Sequence, residues 1–155
     1  MHHTDESNHS DSLEFITFHI ADEEYCVDIM AVREIRGWTR ATALPHTPEY
    51  VCGVINLRGT VLPIIDLAAR LSLGKAQPSS RHVIIVLQVR DQIVGLLVDA
   101  VSDILTVAAT ELHSTPSVSS EIAKVFVKSV LAIDKRMIRL IDVERVFPEQ
   151  VSDAA

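Results

Sequence analysis

The sequence has 155 residues, of which 48% are hydrophobic and 23% charged, and this composition excludes a chain that is mainly disordered. Its net charge of −7 and aromatic content of 5% argue against a nucleic-acid surface, which needs cationic and aromatic side chains. No apolar run reaches the roughly 20 residues of a membrane-spanning helix, and residues 1–12 are polar, without a signal-peptide pattern. We therefore expect a compact cytoplasmic protein with tails at 1–12 and 148–155, not inserted into a membrane.

Four hairpins are predicted in succession, because short apolar runs alternate with polar or glycine-containing turns. Their strands pair 15–20 with 25–27, 54–57 with 61–65, 81–89 with 93–98, and 127–133 with 137–143. In the second hairpin Gly59 can supply a positive φ, and Pro63 favours a strand edge or a bulge. Residues 66–71 (DLAARL) predict one or two helical turns before Gly74. Short strands at this spacing indicate small β-barrels, not a βαβ sheet.

The two halves of the sequence resemble each other. Shifted by 69 residues, 15–35 falls on 84–104 without a gap, and shifted by 76, 53–67 falls on 129–143. The matches occur in the same order, so we infer two related modules, approximately 13–80 and 81–147, intertwined or in tandem. A module of about 70 residues is marginally stable alone. We therefore expect a shared hydrophobic interface, with a binding groove where the modules meet.

Motifs for catalysis or metal binding are not evident. The histidines beyond the N-terminal tail are isolated and lack metal-ligand spacing, and the serines of 114–120 lie in a low-complexity loop. Asp99 and Asp103 are four residues apart and could pair for acid–base chemistry. The simpler interpretation is one acid at a helix start and one solvated acid. We expect no catalytic residue, no metal and no cofactor, and hence no enzyme.

Arg58 is the clearest binding candidate, because it lies at a predicted hairpin tip between hydrophobic strands. A guanidinium pairs well with a carboxylate, and Glu34 is a plausible partner. The pair is either an ordinary surface ion pair or part of the rim of an apolar contact patch. Val101 and Ile104 mirror residues 32 and 35 of the first half, and either belong to the core or line the groove between modules.

Several short segments carry a family resemblance when taken together. They are 24–29 (EYCVDI), 32–35 (VREI), 44–45 (LP), 47–48 (TP), 53–59 (GVINLRG), 63–67 (PIIDL) and 94–105 (VGLLVDAVSDIL). With these segments the chain resembles the bacterial chemotaxis coupling protein (CheW) family over residues 13–147. The resemblance implies a mainly β fold: two small five-stranded SH3-like β-barrels, packed through a shared hydrophobic interface, with short helices.

The resemblance also implies a scaffold that couples methyl-accepting chemoreceptors to the histidine kinase CheA and is recruited to membrane-associated receptor arrays. The implied partners are the receptor's signalling tip, a helical hairpin, and the regulatory domain of the kinase, with no nucleic acid. The residues that match receptor- or kinase-contact positions are Val32, Glu34, Ile35, Gly53, Arg58, Val83, Val101 and Ile104. In one departure, Lys128-Ser129 stands where relatives often carry a glycine, although its counterpart Gly53 is retained.

Two other functions remain open at this point. One is a small β-barrel adaptor for a kinase pathway outside chemotaxis. The other is a nucleic-acid-binding barrel, which the acidic charge and the scarcity of aromatic residues disfavour.

Overall fold

The computed structural model describes residues 12–115 and 121–147, where the chain is mainly β with a few short helices. The strands are β1 (Ser12–Ile20), β2 (Glu23–Asp28), β3 (Val32–Gly37), β4 (Val51–Leu57), β5 (Thr60–Asp66), β6 (Val83–Val89), β7 (Gln92–Val98), β8 (Ala100–Ala108), β9 (Leu112–His113), β10 (Val127–Ile133) and β11 (Arg136–Ile141). The α-helices are α1 (Leu67–Arg70), α2 (Glu121–Phe126) and α3 (Val143–Val146), and 3-10 turns occupy Ile29–Ala31 and Ala109–Glu111.

The strands form two mixed sheets. The first has the order β8-β1-β2-β11-β10-β9, and the second has the order β3-β6-β7-β5-β4. Each sheet contains one parallel pair, β2 with β11 in the first and β5 with β7 in the second. Strands from both halves of the chain occur in both sheets, so neither sheet belongs to one half. The sixth strand of the first sheet, β9, has only two residues.

The sheets repeat each other strand for strand under the two sequence shifts. β8, β1, β2, β11 and β10 correspond to β3, β6, β7, β5 and β4, in the same spatial order. The irregularities correspond as well, because the β4–β5 register shifts between Val51 and Gly53 and the β10–β11 register shifts between Val127 and Ser129. The similarity of the two halves of the sequence therefore extends to strand order and register.

The four predicted hairpins are present, with longer strands than predicted in the first two, while β6 begins two residues later and β11 ends two residues earlier than predicted. Three local expectations are wrong. Pro63 lies in β5, which has partners on both sides, although pairing with β7 begins only at Ile64. Val143 starts a helix instead of ending a strand, because the Asp142 carboxylate accepts a hydrogen bond from the Glu144 N–H at 3.2 Å. Asp99 precedes strand β8, not a helix.

The N-terminal strand extends into the predicted tail, since Ser12 pairs with Ala108 across β1 and β8. The rest of that predicted tail, the tail at 148–155, and residues 116–120 of the predicted serine-rich loop lie outside the described residues. No helix within 12–115 and 121–147 is long and apolar enough to cross a membrane.

Three hydrophobic clusters form the core. The largest contains residues of both sheets and of all three helices, and so lies between the sheets. A second cluster consists of residues of β4–β7, and a third of residues of β1, β2, β10 and β11. Along β6, Ile84 and Val86 belong to the second cluster, whereas Ile85 and Leu87 belong to the first. Both faces of this strand are buried, which explains its uninterrupted apolar sequence.

Arg70 at the end of α1 joins elements from both halves of the chain. Its guanidinium carbon lies 3.9 Å from the centre of the Tyr50 ring and 4.9 Å from that of Phe126. Its Nη2 also donates a hydrogen bond to the backbone carbonyl of Arg145, at 3.2 Å. Cation–π contacts and packing of the alkyl stem both favour this position, so Arg70 reinforces the contact between the halves beside the largest cluster.

Gly53→Ala is predicted to destabilise the protein by at least about 2 kcal/mol. Gly53 has φ +146°, and a Cβ there would lie 2.3 Å from the Thr42 carbonyl oxygen, a backbone atom that cannot easily move. The matched control is Gly37→Ala, since a Cβ at Gly37 meets no atom within 4 Å. Chemical denaturation measures both variants, and equal stabilities would show that the close approach at Gly53 costs nothing.

Candidate functional site

β3 places three of the predicted contact residues on an edge of the second sheet. Its ladder pairs with β6 alone, and the register shifts between Val32 and Glu34. Ile35 is 43% exposed. Val32 is partly buried and packs against the largest core cluster. The β3 edge therefore presents one aliphatic side chain to solvent next to a charged one.

Glu34 is held between two arginines. Arg58 Nη2 lies 2.5 Å from Glu34 Oε1, and Arg36 Nη1 lies 3.4 Å from Oε2. The contact with Arg58 is the pairing expected from the sequence, whereas the second arginine was not foreseen. The hydrogen bond from Arg58, with the charges of both arginines, lowers the pKa of the Glu34 carboxyl below its ordinary value.

The hairpin tip that carries Arg58 has a defined backbone. Arg58 has φ 51° and Gly59 has φ 88°, so both central residues of the turn are left-handed, the combination of a type I′ hairpin. The Asn56 Oδ1 accepts the Gly59 N–H at 2.8 Å. Gly59 adopts the predicted positive φ, but Arg58 does so too, which is uncommon for a residue with a Cβ. The tip thus holds Arg58 beside β3.

β8 is the counterpart of β3 in the first sheet. Val101 pairs with Phe18 and Ile104 with Ile16, and the register shifts between these two pairs. Ile104 is 58% exposed. Val101 is partly buried and packs against the largest core cluster, as its counterpart in β3 does. The outward aliphatic residue and the inward valine therefore recur on both edge strands.

Asp103 corresponds to Glu34 and also has side-chain partners. The buried Thr17 hydroxyl accepts the Asp103 N–H at 3.1 Å and donates to the Asp103 carboxylate. Arg136 Nη2 lies 3.5 Å from the same carboxylate, while its Nε donates to Glu24 at 3.2 Å. The Thr17 hydrogen bond, helped by Arg136, lowers the pKa of Asp103. This network across four strands was missed, although the alignment of Asp103 with Glu34 was a signal for it.

Asp103 is an exposed acid, as the solvated-acid interpretation expects, with a side chain that is 47% exposed, but it also has the partners just described. The helix-start interpretation of Asp99 is wrong, since Asp99 lies between two strands and accepts the Ala21 N–H at 2.7 Å. The Asp99 carboxylate is also 3.5 Å from His82 Nε2. Both acids serve structural contacts here. Among the residues described, no group of three or more His, Cys, Asp and Glu side chains could hold a metal ion.

The remaining predicted residues lie apart from the exposed groups. Val83 begins β6, where it pairs with Gly37 and Val98, and it packs against the largest core cluster. Gly53 is buried within β4. Of the eight predicted residues, the structure thus brings Glu34 and Arg58 into direct contact, with Ile35 next along the strand. Ile104 occupies the equivalent place on the other sheet.

We predict that Arg58→Gln raises the pKa of Glu34 toward the ordinary value for a glutamate, about 4.3. In the wild type the pKa is lowered, so the ion pair persists above the ordinary pKa and is lost as the pH falls through the lowered one. An NMR titration of the Glu34 side-chain carbon measures both proteins. Arg36 also lies near Glu34, so Arg36→Gln is the companion variant. An unchanged Glu34 pKa in both variants would contradict the contacts of Glu34 with the two arginines.

Comparisons with known proteins agree with this architecture. The CheW-like domain matches residues 14–151. The "Probable chemotaxis protein CheW" of Rhizobium etli is 63% identical over 142 residues, which is 92% of each chain. The "Chemotaxis protein CheW" of Rhizobium meliloti is 57% identical over the same share. The crystal structure of the scaffolding protein TtCheW from Thermoanaerobacter tengcongensis superposes with a TM-score of 0.80 at 33% identity, covering 89% of each chain. The chain therefore belongs to the CheW-like domain family.

Proposed function

We propose that this protein is a chemotaxis scaffold that couples chemoreceptors to the histidine kinase CheA and carries out no reaction itself. The observation that carries the proposal is the pair of equivalent edge strands on separate sheets. Each presents an exposed isoleucine, Ile35 or Ile104, beside an ion-paired acid. Two docking surfaces on one small chain are what a linking protein needs. The scaffold and chemotaxis names of its relatives support the same function.

The two surfaces suit reversible binding. Covering a half-exposed isoleucine contributes on the order of 1 kcal/mol, and the neighbouring ion pairs favour a partner whose charges are placed to match. Such contacts are individually weak. A scaffold in an array binds more tightly overall, because binding at one site raises the effective concentration of the partner at the next site. This is consistent with recruitment to membrane-associated receptor arrays, where receptor and kinase are already concentrated.

A finer proposal concerns the sheets, which we propose to be SH3-like barrels. The chain after β3 returns to pair with β4, the other edge of the same sheet, through Thr42 and Val54 (N···O 2.8 and 2.9 Å). In the first sheet the chain after β8 returns as β9 to pair with β10. Both pairings connect the two edges of a sheet through one continuous segment. The separate apolar clusters of the two sheets support the same reading.

The proposed partners are a receptor signalling tip and the regulatory domain of the kinase. A helical hairpin presents rows of side chains that an apolar groove can accept. Val32 and Val101, partly buried on the two edge strands against the shared cluster, are suited to line such a groove. We extend the proposal to the full set of eight contact residues, with Gly53 acting through the shape of β4 and not by touching a partner.

Arg58→Asp is predicted to weaken co-sedimentation with receptor fragments at least about tenfold, because the new carboxylate repels Glu34 and any acidic partner group. Thermal unfolding should change little, since the Arg58 side chain is 70% exposed. The matched control is Arg90→Asp. Arg90 is also a hairpin-tip arginine with positive φ, 77% exposed and paired with a glutamate. Equal binding by both variants would show that Arg58 is not part of the receptor-binding surface.

Ile104→Asp tests the equivalent surface of the first sheet. We predict that it reduces binding to receptor fragments or to the kinase regulatory domain, measured separately by calorimetry, while the fold is retained. Met137→Asp is the control, because Met137 is 56% exposed and Ile104 is 58% exposed. If Ile104→Asp binds both partners as the wild type does, β8 is not a docking surface.

A further inference from the structure

A cavity of about 410 Å³ has no lining residue from β3 or β8. Its walls are the segment after β3, the start of β4, the end of β5 and the loop after α1. None of the eight predicted contact residues lines it. The volume falls within the range of small-molecule sites, about 300–1,000 Å³. The cavity is therefore large enough for a small ligand and shares no residue with the proposed docking surfaces.

The walls of the cavity are tied together by hydrogen bonds. Trp38 N donates to the His82 carbonyl at 3.2 Å, which anchors the segment after β3. The carboxylate of Asp66, only 2% exposed, accepts the N–H of Ala69 at 3.3 Å and that of Ala76 at 2.8 Å. The second bond fixes the loop after α1 against the end of β5. The cavity is thus formed by the fold itself and does not need a ligand to assemble it.

The chemistry of the lining favours a flat, apolar molecule with a negative group. Trp38 contributes an aromatic side chain to the lining, and Ala41, Cys52 and Ala76 add further apolar surface. Arg40 and Lys75 line the cavity with no hydrogen bond or ion pair inside the described part of the chain. Glu49 likewise has no partner among the described residues. With Asp66 the lining carries two positive and two negative side chains, so the preference for an anion rests on direct contacts and not on net charge. Both oxygens of the buried Asp66 already accept backbone N–H groups, which leaves the donors of Arg40 and Lys75 and the one carboxylate of Glu49 to contact a ligand.

We propose that this cavity is a binding site for a small aromatic carboxylate. The ring packs against Trp38, and the carboxylate reaches the guanidinium of Arg40 and the ammonium of Lys75. A planar guanidinium is well suited to a carboxylate. Because both cations are solvent-exposed, a dissociation constant of about 0.1–10 mM is expected for a ligand of this size. The inference does not depend on the chemotaxis function.

The chain offers a direct optical test, because Trp38 is its only tryptophan. We expect benzoate to change the Trp38 emission in a saturable manner at low salt. Benzamide, which is neutral, and benzylamine, which is cationic, are the matched probes for the charge, and cyclohexanecarboxylate is the probe for the flat ring. All three should bind at least about fivefold more weakly than benzoate if charge and planarity decide affinity. No saturable change up to about 50 mM benzoate, or an equal response to benzylamine, overturns the proposal.

A double variant and a thiol probe give independent readouts. Arg40→Gln combined with Lys75→Gln should weaken benzoate binding at least about fivefold. Arg81→Gln combined with Lys135→Gln removes the same charge from exposed positions outside the cavity and should not. Benzoate should also slow iodoacetamide alkylation of Cys52, measured at pH 9 by mass spectrometry, because Cys52 lines the cavity while Cys26 is fully buried. Unchanged affinity in the first double variant, or unprotected Cys52 at saturating benzoate, contradicts the assignment.

Discussion

The pairing of β8 with β1 and of β3 with β6 is the constraint on which the rest of the molecule depends. Each pairing joins a strand of one half to a strand of the other. Together with the parallel pairs β2–β11 and β5–β7, these pairings put strands of both halves in each sheet, and the largest apolar cluster lies between the sheets. A small sheet alone buries too little apolar surface to be stable. Two sheets that exchange strands and share a core overcome this limit together.

The same pairing determines where binding can occur. β3 pairs with β6 and β8 pairs with β1, in each case a strand of the other half. Both β3 and β8 lie at a sheet edge, so each has a neighbouring strand on one side only in the sheet order. Exposed edges are sites of association, and here each is irregular at the register shift beside Glu34 or Asp103. Thr17 fills the irregularity on β8 with its hydroxyl. The irregularities limit indiscriminate strand pairing while leaving Ile35 and Ile104 exposed.

The local elements followed from the sequence, and the long-range ones did not. Hairpins were predictable because each couples an alternating or continuous apolar run to a turn signal, and the Glu34–Arg58 pair because a guanidinium at a tip needs a nearby anion. The sequence leaves open whether the modules are intertwined or in tandem, since β1 and β6 carry equivalent patterns and either could receive β8. The apolar pattern alone predicts a strand at Val143, although it predicts a helix at the counterpart Leu67. Applying the repeat to Val143 corrects the prediction.

The exchanged strands limit how the two halves of the protein can evolve. A duplicated ancestor with separate modules can lose or donate one copy, but this chain cannot. Its first half supplies two strands to one sheet and three to the other, so neither sheet is complete after a break in the loop between α1 and β6. Recombination at that loop would leave incomplete sheets on both sides. The two halves are therefore bound to evolve as one unit, and a change in one sheet must be tolerated by the other.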